Sequence, residues 1–184
     1  RRGIEGLSSP LVDRKEELLL LTNFIEELFT GKGNVVMILG EAGVGKSRLI
    51  EELFIQSLSI ALEKVKNINW CIGRCSPYRE SLYHPFIEIL KQICEIRTED
   101  SEMVIMARLL LLVEKLTNEK AEEIFPYIAE LFNIKLAAKY EEKVKYLKPE
   151  EIKLQIFNAV SMLLESYAEK NPAVYCIDDL YLAD

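Results

Sequence analysis

The chain has 184 residues, 49% of them hydrophobic, and its 23 basic and 30 acidic residues give a formal net charge of −7. The hydrophobic content excludes a disordered segment, and the length suffices for one α/β domain with a core of its own. A dedicated nucleic-acid surface would be basic, so nucleic acid is not an expected partner through this segment. The sequence has no apolar run able to span a bilayer and no visible signal peptide, and it predicts a cytoplasmic protein.

The first elements in chain order are a linker, a helix and a strand. Residues 1–12 are punctuated by glycine, serine and proline, as is typical of a linker. Asp13 followed by Glu16 resembles a capping box, which predicts a helix through about Phe29. After two glycines, the apolar run at residues 35–39 is typical of a buried parallel strand.

A complete phosphate-binding loop follows this strand. It consists of Gly40, Glu41, Ala42, Gly43, Val44, Gly45, Lys46 and Ser47. Apolar residues then recur at helical spacing to about residue 65, so the motif has the strand–turn–helix context that it requires. The alternative is a glycine-rich turn that opens an ordinary helix.

The chemistry of this loop depends on its backbone and on three side chains. Glycines let backbone N–H groups and the helix N-terminus point at an anion. Lys46 is predicted to reach the outer phosphates, and the Ser47 hydroxyl to bind Mg²⁺. Arg48 either contacts phosphate or is an exposed or salt-bridged helix residue.

A second strand and a long helical segment follow. The strand is predicted over residues 69–75, and residues 84–170 are predicted to be almost wholly helical. Helices are expected to start near Pro85, after Ser101, near residue 119 and near Pro149, and Pro126 is expected to break or restart the third. Residues 135–148 carry both charge signs and are interpreted as a solvated connection.

Two acids end the last predicted strand. The short apolar run at residues 173–177 predicts a buried strand, and Asp178 and Asp179 follow it. In phosphate-loop NTPases such a carboxylate holds Mg²⁺ opposite the loop Ser/Thr, so Asp178 is predicted to share the metal with Ser47. Asp179 is predicted to orient or deprotonate the attacking water, or alternatively to cap the next segment.

Arg74 stands at the end of the second strand, where ligands bind in open α/β sheets. A contact with the γ-phosphate and a structural ion pair are both open for it, and the ion pair is favoured.

Segments in a fixed order resemble one family. They are LVDRKEEL at 11–18, GEAGVGKSR at 40–48, GRCSPY at 73–78, PYIAELF at 126–132 and DDLYLAD at 178–184. The set resembles the AAA-related STAND ATPases, and within them the modules that follow the catalytic domain of class III adenylate/guanylate cyclases and precede helical repeats. One departure is Asp13, which stands where this family usually has glycine.

The resemblance implies a partial AAA-like (ASCE) P-loop NTPase fold, an α/β parallel sheet with a large helical insertion, residues 84–170, between the second strand and the Walker-B strand. Residues 13–184 would then be the N-terminal part of a P-loop ATPase domain, truncated after Walker B. It also implies ATP or ADP with Mg²⁺ as cofactors, an adenine pocket built partly from Leu11 and Val12, and catalytic roles for Lys46 and Asp179.

The leading hypothesis is an ATP-binding and ATP-hydrolysing regulatory module, covalently attached to a cyclase or other output domain and to helical repeats. The alternatives are a non-catalytic nucleotide-dependent scaffold and the ATPase module of a transcriptional regulator. A small-molecule kinase is disfavoured. Because the sequence stops directly after the second motif, we expect this segment alone to bind nucleotide weakly and to turn it over slowly or not at all.

Overall fold

The computed structural model describes residues 14–75, 83–136 and 138–182, and the chain divides into two compact units at residues 1–68 and 69–184. The predicted roles of Leu11, Val12 and Asp13 lie outside the described residues.

The first unit contains two helices, α1 (Lys15–Leu28) and α2 (Lys46–Glu63). Arg14 is the N-cap residue of α1. Residues spaced three or four apart are buried on both helices, as packed amphipathic helices require: Leu18, Leu21 and Ile25 on α1, and Leu49, Leu53, Ser57 and either Ile60 or Ala61 on α2. A hydrogen bond from Thr22 Oγ1 to Gln56 Oε1, 2.6 Å long, links α1 to α2.

The prediction of a strand at residues 35–39 is wrong. Residues 32–41 have no regular secondary structure, and Val35, Met37 and Leu39 are 103%, 67% and 82% exposed. A strand requires a ladder of hydrogen bonds to a neighbour, and apolar composition alone does not supply that neighbour. Within the described residues the only sheet pairs two other segments.

The second unit contains that sheet. Strands β1 (Asn69–Arg74) and β2 (Ala173–Asp178) are parallel, in a register that runs from Asn69 opposite Ala173 to Arg74 opposite Asp178. Both strands were predicted from the sequence, and both are confirmed. The parallel pair fits part of a P-loop fold. Parallel neighbours cannot be joined by a tight turn, so a long crossover connection links β1 to β2.

The described part of that connection is helical. It comprises α3 (His84–Ile93), α4 (Glu102–Thr117), α5 (Ala121–Leu131), α6 (Ala138–Val144) and α7 (Pro149–Lys170). The predicted starts are confirmed at Ser101, whose Oγ accepts a hydrogen bond from Val104 N, and at Pro149, the first residue of α7. The core of the unit lies among these helices, where Leu90, Leu109, Val113, Ile128 and Leu163 are at most 1% exposed.

Pro126 does not break its helix. It lies inside α5, although a proline cannot donate the usual hydrogen bond to the carbonyl four residues earlier. That carbonyl belongs to Glu122, and Lys143 Nζ donates to it at 3.0 Å. A side chain from α6 therefore supplies the hydrogen bond to this carbonyl that Pro126 cannot make.

The solvated connection predicted at residues 135–148 is also wrong in part, because α6 lies within it. Tyr140 is buried, and its ring lies 5.3 Å from that of Phe125. Tyr140 therefore packs α6 against α5, although the charge pattern of residues 135–148 predicted a solvated connection.

Helix α3 packs closely on β1 and covers its outer edge. Gln92 receives a hydrogen bond from Ile72 N at 3.1 Å and donates one to Ile72 O at 2.6 Å, as a neighbouring strand would. Glu88 Oε2 accepts a bond from Arg74 N at 2.8 Å. These side chains satisfy the edge of β1 that faces away from β2.

Candidate nucleotide-binding site

The loop at residues 40–47 owes its shape to two glycines. Gly43 has φ +84° and Gly45 has φ +89°, values in the left-handed region that residues with a Cβ rarely adopt. A Cβ built on either residue would meet no atom within 4 Å, so conformation rather than space calls for glycine at both positions.

Gly45 is also the N-cap residue of α2. The first amides of a helix have no acceptor within the helix, and none of the described side chains caps α2. Free amides and the positive end of the helix dipole therefore coincide at the loop, which is an arrangement that favours an anion.

Lys46 lies across this loop. Its Nζ donates hydrogen bonds to Gly40 O at 2.7 Å and Glu41 O at 2.9 Å. The ammonium group thus lies against the loop backbone, and two loop carbonyls hold it there. Ser47, the next residue, is exposed.

Arg48 makes ion pairs with its own helix. Its guanidinium contacts Glu51 at 3.3 Å and Glu52 at 3.1 Å. These contacts support the salt-bridge interpretation of this residue, and its phosphate contact stays a prediction.

Asp178 and Asp179 lie at the carboxyl end of β2, as predicted. Asp178 Oδ1 accepts a hydrogen bond from Asp179 N at 3.0 Å, which fixes the carboxylate against the turn. Asp179 has φ +56°, a left-handed conformation that aspartate tolerates better than most residues. The chain then enters a single 3₁₀ turn, Leu180–Leu182.

The end of β1 lies beside these acids. Cys75 N donates to Asp178 O at 3.0 Å, which continues the ladder past the last paired residue. Burial raises the pKa of the Cys75 thiol, and the negative charges of Asp179 and Asp178 raise it further. The same edge therefore carries two acids and a thiol held in its neutral form.

Sequence reasoning missed the support that α3 gives to this edge. Glu88 and Gln92 are polar residues four apart on one helix face, a spacing that does not by itself indicate a strand partner. Gly73 shows how near α3 lies, because a Cβ there would fall 2.3 Å from Pro85 O. A glycine inside a predicted strand was the available signal, since it often marks close approach of another backbone.

The predicted site residues thus fall into two groups. Residues 40–48 belong to the first unit, and Asp178 and Asp179 to the second. The shared metal of Ser47 and Asp178 stays a prediction. Among the described residues no cluster of three or more His, Cys, Asp or Glu side chains could hold a metal by itself.

A glycine-rich loop that opens a helix and an acid at the end of a parallel strand are the two motifs that characterise P-loop NTPases. Residues 10–184 match the AAA ATPase domain, and the chain belongs to that family. It is therefore an ATP-binding module of the P-loop class. None of the described helices has the length and apolar character needed to cross a membrane.

The chain is similar to an uncharacterized protein of Rhizobium meliloti (strain 1021), with 24% identity over 180 residues. The match covers 97% of this chain and 16% of the relative, so the chain spans about a sixth of that protein's length. No solved structure matches the chain significantly.

Proposed function

We propose that this chain is an ATP-binding regulatory module that hydrolyses ATP within a larger signalling protein. The observation that carries the proposal is the loop at residues 40–47, where two left-handed glycines open an uncapped helix and a lysine lies across the backbone. The AAA family supports ATP as the nucleotide.

The residues present fit Mg²⁺ and a triphosphate. Oxygen donors suit Mg²⁺, and the chain offers the exposed Ser47 hydroxyl and the Asp178 carboxylate. Gly43 and Gly45 leave open space where other residues would place a Cβ. When bound, Mg²⁺ would neutralise charge on the outer phosphate oxygens.

Each protein group has a distinct role in this proposal. Backbone amides of the loop bind the phosphates, and Lys46 exchanges its two carbonyl partners for the outer phosphates. Asp179 orients the attacking water and accepts its proton. Phosphoryl transfer depends mainly on positioning and on charge neutralisation, and these are the roles that the proposal gives to the loop, Lys46 and Asp179.

Exchange of ADP for ATP would act as a switch, because a ligand that binds one conformation better shifts the population toward it. The resemblance of five segments to cyclase-linked STAND modules supports a cyclase or another attached output domain. The similarity to a protein about six times as long supports a module embedded in a larger chain.

Nucleotide titrations and turnover assays test the proposal. Lys46→Ala should weaken Mg–ATP binding at least about 10-fold, the effect of losing one charge-assisted hydrogen bond. Lys64→Ala, at the far end of the same helix, should leave it unchanged. In the full-length protein, Asp179→Asn should retain ATP binding and lose most of its turnover.

Two outcomes would count against this function. Unchanged ATP affinity in Lys46→Ala would remove the loop as the binding site. Equal turnover with and without Asp179 would leave the nucleotide-dependent scaffold as the better description. Glu119→Gln, an exposed acid on the helical segment, serves as the turnover control.

A further inference from the structure

We propose that the second unit binds an α-amino acid with a large apolar side chain, in a cavity between α5 and α7. The inference goes beyond the proposed function, because no nucleotide takes part in it and every residue that it uses lies in one unit.

The cavity has a volume of about 310 Å³. Its apolar lining in the described part of the chain consists of Tyr83, Leu131, Pro149, Ile152 and Ile156. Leu131 and Ile156 are only 7% and 6% exposed, so the inner wall belongs to the core of the unit. Since a cavity of about 150 Å³ holds benzene, this one has room for a large apolar side chain and for polar groups beside it.

One face of α7 forms a wall of this cavity. Four lining residues come from α7, at the spacing i, i+3, i+4, i+7 that places them on one side of a helix: Pro149, Ile152, Lys153 and Ile156. A hydrogen bond from Lys148 N to Glu151 Oε2, 2.7 Å long, fixes the first turn of this helix. Because the wall is formed before a ligand arrives, little backbone freedom is lost on binding.

Two opposite charges border the apolar lining. Glu130, in the last turn of α5, and Lys153 both line the cavity, and both are exposed. In the described parts of the chain neither side chain makes an ion pair, with the other or with a third residue, whereas Lys139 pairs with Glu122. An acid and a base thus line one cavity, and both remain available to a ligand.

These features together suit one kind of ligand. An α-amino acid carries an ammonium group and a carboxylate on the carbon that bears its side chain. The ammonium would pair with Glu130 and the carboxylate with Lys153, while the side chain enters the apolar part of the cavity. Because both charged residues are exposed, burial of the side chain supplies most of the affinity, and the two ion pairs select the ligand.

Amide NMR spectra of the 184-residue chain, recorded during titration with free amino acids, test the proposal. We expect L-phenylalanine to bind with a dissociation constant of about 1 mM, in keeping with a ligand of about 12 non-hydrogen atoms. The signals that shift should belong to the end of α5 and the first two turns of α7. Glycine, N-acetylphenylalanine and phenylalaninamide lack the apolar group, the ammonium and the carboxylate respectively, and each should bind at least about 3-fold more weakly.

Two variants connect each charge of the ligand to its residue. Glu130→Gln should bind phenylalanine and N-acetylphenylalanine equally, and Lys153→Gln should bind phenylalanine and phenylalaninamide equally. Both residues are exposed, so neither change removes packing from the core. Glu165→Gln is the matched control, since Glu165 is an exposed acid on α7 that lies three turns beyond Lys153, and it should change no affinity.

Several results would overturn the amino-acid site. One is the absence of amide shifts at about 10 mM phenylalanine, ten times the expected dissociation constant. Another is equal binding of glycine and phenylalanine by the unsubstituted chain. Equal binding of phenylalanine and N-acetylphenylalanine would show that the cavity accepts an apolar group without selecting its charges. None of these results bears on nucleotide binding by the loop, so the proposed function is tested separately.

Discussion

Gly45 combines two demands in one residue. It adopts a left-handed conformation, and it caps the helix whose first amides face the loop. The space around it is open, so only the backbone conformation opposes a larger residue. A substitution at Gly45 therefore tests the backbone conformation of the loop without introducing a steric overlap.

Gly45→Ala should therefore weaken nucleotide binding with little loss of stability elsewhere. An L-residue in this conformation costs about 1–2 kcal/mol, which corresponds to about a 10-fold loss in ATP affinity when the loop can relax in the free state. Isothermal titration with Mg–ATP measures the loss.

Gly33→Ala is the control for this change, because Gly33 has open space and no left-handed backbone angle. Equal affinities for Gly45→Ala and Gly33→Ala would show that the loop binds its ligand without the left-handed turn.

At the scale of elements, the contact between α3 and β1 is the tightest constraint on the proposed edge. A Cβ on Gly73 would lie 2.3 Å from Pro85 O and 2.7 Å from Pro85 C and Cα. All three are backbone atoms, so no side-chain rotation relieves the overlap. The helix as a whole must move away from the strand.

Gly73→Ala should lower the free energy of unfolding by about 1–3 kcal/mol, the usual cost of an overpacked contact. The midpoint of urea unfolding, followed by circular dichroism, measures it. Gly33→Ala carries the same added methyl in the first unit and should leave the midpoint in place. A Gly73→Ala midpoint equal to that of the control would contradict the close packing.

The elements also show what the sequence could predict. Ser101 and Pro149 mark helix starts through local chemistry, and local chemistry is visible in a sequence. The predictions of a strand at residues 35–39 and of a break at Pro126 were wrong, and in both cases the hydrogen-bond partners that matter are distant in the sequence. One lacks a paired neighbour among the described residues, and the other gains a donor from Lys143.

The same distinction applies to the candidate site. The glycine conformations at 43 and 45 and the acids after β2 follow from motif and context. The support from Glu88 and Gln92 does not, because only the fold brings a helix face to the edge of β1. Sequence reasoning therefore identified candidate ligand-binding groups better than the groups that hold them.

At the scale of the whole molecule, the second unit contains several thiols and phenols whose pKa values are raised by burial. Burial raises the pKa of all four thiols, at Cys71, Cys75, Cys94 and Cys176, and of the phenols of Tyr167 and Tyr175. Burial raises the pKa of the Cys94 thiol from 9.0 to about 12. Each group is kept neutral in the folded chain over a pH range in which the unfolded chain ionises it.

This difference predicts a loss of stability at alkaline pH. The stabilisation is fully present below the unfolded pKa values, and it is lost as pH rises from about 9 toward the folded values, because the unfolded state then binds fewer protons. We expect the urea concentration at the unfolding midpoint to decrease as the pH is raised from about 7.5 to about 10. Cys94→Ala lowers stability at both pH values through lost packing, but the decrease between them should be smaller, since one ionising group is gone. A midpoint that holds constant over this range, or a Cys94→Ala chain with the full pH dependence, would contradict the assignment of buried neutral thiols.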